Sequence, residues 1–207
     1  FDALIRQGAS SHGIGSVISL AAADLMARVG DGDREAFIRA AHGLLFAAAV
    51  RVAFTEIQDV EALPLLFTSA SYINALHKEI GGQQPSQPPT QAATHSPILG
   101  GGLIAPALLD TLGEQLDAQD LDGAYATARR YIQLGHDVRS LFATIALACS
   151  HTDPAADQGH TMQIVQAAGE EYMGWPTSLN DINIEGFLHV ALRAITFAQH
   201  NDLVTNL

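Results

Sequence analysis

Apolar and polar residues alternate along this chain with a helical period almost throughout. Arg34 to Phe54, REAFIRAAHGLLFAAAVRVAF, is the longest nearly uninterrupted apolar run. It is too long for a strand, and past its first turn its only charges are Arg39 and Arg51. A helix apolar nearly all round belongs in the middle of a bundle. His42 shares a helical face with Ile38, Leu45, Ala49 and Val52, so the pattern predicts an imidazole inside the core. Further helices are predicted over Ile14 to Val29, Leu65 to Ile80, Leu103 to Leu116, Leu121 to Leu134, Val138 to Cys149, Asp153 to about Met173, and Ile182 to Gln199. Phe1 to Gly8 reads as the end of a helix and Ser10 to Gly13 as a break. Asp33, Asp120 and Asp137 precede apolar runs as N-caps, and Asp153 with Pro154 reads as a cap followed by a first helical residue. Gly81, Gly82 and Gly135 are stop signals. No stretch alternates as a strand does. The expected fold class is all-α, an irregular multi-helix bundle of at least seven helices.

Residues 83–93, QQPSQPPTQAA, are rich in proline and glutamine and offer no apolar anchor. With Pro97 and Gly100 to Gly102 they read as an exposed, extended linker. The expected organisation is an N-terminal helical half over 1–82, a linker over 83–102 and a C-terminal helical half over 103–207, the halves packing as one domain. Leu25 to Phe46 and Leu112 to Leu134 share a loose pattern: a helix, an acidic turn, then an acid-capped helix. That pattern fits two related helical halves. It fits the general grammar of antiparallel helices better, because the period is irregular.

The chain has 207 residues, nearly half of them apolar, and a formal net charge of −12. So acidic a surface disfavours nucleic acid, whose phosphates need a basic partner, and an anionic membrane face. The run around His42 approaches membrane-spanning length, but Arg39, His42 and Arg51 within it favour a globular core. The one cysteine, Cys149, excludes an internal disulfide framework and reads as a buried structural thiol. With no signal-peptide pattern at the start, the expected location is cytoplasmic. A small molecule or a protein remains open as partner, as does homo-oligomerisation.

Nine histidines stand against ten lysines and arginines together. Histidine is the commonest metal ligand and titrates nearest neutrality. The densest cluster is His151 to His160, HTDPAADQGH. On a helix begun at Asp153, Asp157 and His160 lie three apart and are neighbours, a spacing at which a carboxylate and an imidazole can share an ion. His151 precedes that helix and can fold back on it. The candidate metal ligands are therefore His42, His151, Asp157 and His160, for a divalent iron, zinc or manganese ion. A plainer reading stands beside this one: the aspartates cap and complement the helix, His151 and His160 are solvated, and His42 is a hydrogen-bonded core histidine. His136 and His151 flank the Val138 helix at roughly 20 Å and cannot share one ion. His12 reads as an exposed first-turn residue and His77 as a helix-end surface residue, while His95 and His200 are expected in solvent. Asp181, Glu185 and His189 form a polar stripe that reads as a solvated face. There is no GxGxxG dinucleotide fingerprint, P-loop, GxSxG or HExxH.

The segment AHGLLFAAAVRVA around His42, the D-x-x-H of Asp157 and His160, and HTMQIVQAAGEEY resemble the helical, histidine-containing region that accompanies Rieske-type iron–sulfur domains in some bacterial proteins. The resemblance implies a redox-associated helical module. It does not imply a Rieske cluster in this chain, because such a cluster needs paired cysteines and histidines and Cys149 is alone. The expected function is a metal-binding helical protein, an oxidoreductase or hydrolase using a His/Asp site. The alternative is a non-catalytic, acidic helical module that binds protein partners.

Overall fold

The computed structural model describes residues 6, 8, 10–30, 32–57, 60–80, 105–152, 157–179 and 182–200. Among the described residues there are eight α-helices and no strand, and the chain is all-α. The helices are α1 (Ser11–Ala27), α2 (Arg34–Glu56), α3 (Leu63–Ile80), α4 (Ala105–Asp117), α5 (Leu121–Gln133), α6 (Val138–Cys149), α7 (His160–Met173) and α8 (Glu185–His200). Single 3-10 turns lie at Val60–Ala62 and Thr177–Leu179. The expected linker over 83–102 lies outside the described residues, as does most of Phe1 to Gly8.

The aspartate caps form where the sequence places them. Asp33 accepts from the Ala36 N–H at 2.9 Å, Asp120 from Gly123 at 2.9 Å, and Asp137 from Arg139 and Ser140, both at 3.2 Å. Each satisfies a backbone donor that a helix leaves orphaned at its start. Helix α5 ends with Gly135 at φ +76°, and the His136 N–H reaches back to the Tyr131 carbonyl at 3.3 Å. That is a left-handed stop for which glycine is suited.

Other boundaries differ from expectation. Helix α1 begins at Ser11, because Ser10 Oγ accepts from the Gly13 N–H at 3.0 Å; His12 and Gly13 are in its first turn rather than in a break. Helix α8 begins at Glu185, whose N–H is taken by Asn183 Oδ1 at 2.9 Å. The largest correction concerns α7, which begins at His160 after a turn at residues 157–159. Gln158 (φ 58°) and Gly159 (φ 76°) are both left-handed, so no right-handed helix runs from Asp153 through them.

The chain divides into two compact units, one formed by 1–86 with 166–190 and the other by 87–165 with 191–207. A division at the linker alone would leave 166–190 with the C-terminal half; here that segment joins the first 86 residues. In the first unit α1, α2 and α3 pack on one another. The buried side of α2 is built of Ala36, Phe37, Ala40, Ala41, Leu44, Ala47 and Ala48. Its small side chains let neighbouring helices come close. A Cβ on Gly43 would sit 2.8 Å from Leu76 Cδ1, and one on Gly15 of α1 would sit 3.2 Å from Arg51 Cβ. In the second unit α4, α5 and α6 pack mutually around Leu112, Leu116, Ala128, Tyr131, Leu141 and Ile145.

Candidate functional site

His42 is exposed, which corrects its predicted place in the core. The whole face it shares is turned outward: Ala49 is exposed, Val52 is 43% exposed, and Ile38 and Leu45 are half-buried. The reason is steric. Alanines and Gly43 on the opposite side allow α1 and α3 to approach closely around Phe37, Leu44 and Phe54, so that side takes the core contacts and Ile38, Leu45 and Val52 are left outside. Phe46, one turn from His42 and Ala49, meets Tyr72 of α3 edge-on with ring centroids 5.8 Å apart. Tyr72 is itself 37% exposed, so the outward apolar stripe of α2 continues onto α3. By length and composition α2 is the one described helix that satisfies the requirement for crossing a membrane; 56% of its most apolar window is buried inside the fold.

His151, Asp157 and His160 all lie in the second unit, and His42 in the first. His151 is exposed, and its Nδ1 meets Asp117 Oδ1 at 3.1 Å. Asp157 is buried and committed to backbone. One carboxylate oxygen accepts from Gly159 N–H and the other from Thr161 N–H, each at 2.8 Å. His160 Nδ1 turns to the Asp157 carbonyl oxygen rather than to its carboxylate. The expected pairing of Asp157 and His160 along one helix is therefore not made, since Asp157 precedes the helix and closes its first turn. Among the described residues no group of three or more His, Cys, Asp or Glu side chains is placed to hold one ion. Cys149, also buried, has its thiol pushed up to about 12, first by burial and then by the charge of Asp157.

The most built polar cluster lies outside the residues singled out as candidate ligands. Arg51, near the C-terminal end of α2, is 6% exposed and donates from Nε to Glu171 Oε1 of α7 at 2.5 Å. Glu171 is 1% exposed. Its carboxyl is raised above the usual carboxylate range, first by burial, against the lowering effects of Arg51 and Ser19. The stem of Arg51 lies on Gly15, and Gly174 covers the guanidinium, since a Cβ there would sit 3.4 Å from Nη1. Nη1 is 3.4 Å from Nε2 of the half-buried His12. A guanidinium has only donors, so the contact is favourable when Nε2 offers its lone pair and Nδ1 carries the proton. His12, Gly15, Ser16 and Ser19 follow at helical spacing and form a polar and small stripe on α1. That stripe, with one arginine deep in an apolar run, was the available signal. Arg51 and Glu171 are both buried, and their pair joins α2 to α7.

No protein-family model matches the chain, and no curated protein or solved structure matches it either.

Proposed function

We propose that the chain is a non-catalytic helical module that binds a protein partner through the outward face of α2. One observation carries the reading: the one described helix long and apolar enough to cross a membrane presents Ala49 and Val52 to solvent, with Ile38, Leu45 and Tyr72 half open beside them. A contiguous apolar surface rimmed by polar residues is characteristic of an interaction site. Charge selects the occupant. Glu35, Glu56 and Glu79 are exposed on the same two helices, and Arg39 is occupied by ion pairs with Glu35 and Glu79. The chain as a whole carries 22 acidic against 10 basic side chains. The fitting partner therefore has an apolar ridge flanked by lysine or arginine. A second copy of this chain would set one charge of −12 against another. The test is a calorimetric titration of the purified chain with a helical peptide whose leucine stripe is flanked by lysines, beside a glutamate-flanked counterpart. Binding of the first alone, weakening with salt, supports the reading. Binding of neither, a concentration-dependent dimer in sedimentation, or flotation with neutral lipid vesicles overturns it.

A second reading, a divalent iron, zinc or manganese ion at His151, is favoured by the Asp117 contact. A metal-ligating imidazole is commonly oriented by a carboxylate on its other nitrogen, as Nδ1 of His151 is here. Oxidoreductase or hydrolase chemistry would belong to that reading. Stoichiometric metal in the purified protein, lost in His151→Ala, supports it; metal-free protein whose melting temperature is unmoved by added zinc, iron or manganese refutes it.

A further inference from the structure

We infer, resting on the partner reading above, that His42 makes binding at the α2 face pH-dependent, so that a partner held near neutrality is released in acid. His42 is exposed on the outer side of α2, within a turn of the half-buried Ile38 and Leu45 and two turns from the exposed Ala49. Ile38 and Val52 mark the ends of the apolar stripe, about 21 Å apart along the axis at the helical rise. A partner that touches both lies across the imidazole between them and covers it.

Covering an imidazole with apolar surface disfavours its charged form, and a partner carrying lysine or arginine disfavours it again by repulsion. The neutral form is therefore the one that binds. A protonated His42 has to give up its proton on binding, so affinity is full above the range in which imidazole titrates and falls as pH falls through it. The charged and titratable groups bordering His42 are Glu35 and Arg39 on α2, with Glu79 and Tyr72 on α3. Arg39 pairs with both glutamates, and Tyr72 meets Phe46. Of these side-chain types imidazole alone changes charge between about pH 5 and 8, so the acidic rim that attracts the partner stays constant while the centre of the stripe becomes cationic.

The experiment is calorimetric titration of the purified chain with the lysine-flanked leucine-stripe helix at about pH 7.5 and at about pH 5.5, an interval over which lysine keeps its charge. Wild type should bind about fivefold more weakly at the lower pH. The chain's other histidines also gain charge in acid and reduce the net −12, so the quantity compared between variants is the ratio of the two affinities. His42→Gln, with no proton to gain at this position, should lose most of that ratio. His77→Gln, exposed on α3 and off the face of Tyr72, should keep it. Equal affinities at the two pH values in wild type, or a ratio unchanged in His42→Gln, overturns the inference and leaves the partner reading standing. No binding at about pH 7.5 overturns both.

Discussion

Arg51 Nε and Glu171 Oε1 meet at 2.5 Å across 120 residues of sequence, both side chains buried. This contact ties the 166–190 segment to the first 86 residues within one unit. Truncating one member of a buried pair leaves the other charge uncompensated, at a cost of about 3–5 kcal/mol; replacing both with apolar residues of similar volume is often neutral. Arg51→Met and Glu171→Leu should each destabilise strongly in urea unfolding, and the double variant should be more stable than either. A double variant with the summed loss would show that the two side chains act independently.

The Glu171 carboxyl is raised in the folded state, chiefly by burial. A group with a raised folded pKa binds its proton more tightly folded than unfolded. Its contribution to stability is complete below the ordinary carboxylate range and is lost as pH rises through the raised value. The stability of wild type relative to Glu171→Gln should therefore fall as pH rises from the ordinary carboxylate range upward. A difference that grows with pH would mean that the Arg51 hydrogen bond outweighs burial.

Cys149 should be inert in the native protein. Its thiol, buried and pushed up to about 12, supplies almost no thiolate at neutral pH. Aromatic disulfide reagent at pH 8 should label it fully in denaturant and only on the timescale of opening without it. Prompt native labelling would contradict the burial.

Asp157 serves the start of α7 with both carboxylate oxygens. Asp157→Ala removes two acceptors from partly or fully buried donors and should cost about 1–3 kcal/mol. Asp157→Asn, with one acceptor oxygen left, should fall between. Denaturant midpoints check this, and an Ala variant as stable as wild type would remove the capping role.

The caps at Asp33, Asp120 and Asp137 were legible because a cap is a contact between residues two or three apart. The direction in which α2 faces was not. Both of its sides are apolar, with Phe37, Leu44 and Phe54 on the buried one and Ile38, Leu45 and Val52 on the outer one, so periodicity supplies no vector. Packing decides it, because the alanines and Gly43 among those residues permit the closest helix approach. The Asp157–His160 reading failed at Gln158 and Gly159, where two left-handed residues end the assumed register. Arg51 and Glu171 lie too far apart in sequence for any local pattern to join them.

The outward face of α2 is the central claim, and Val52→Glu tests it most directly. Val52 is 43% exposed, so a charge there should leave the fold intact, with the thermal midpoint shifted by only a few degrees. Calorimetric titration with the lysine-flanked leucine-stripe helix should show binding to wild type and a loss of at least about tenfold in the variant, despite its added negative charge, because the contact is led by apolar burial. Equal or tighter binding by Val52→Glu would contradict the account and leave charge attraction alone as the source of affinity.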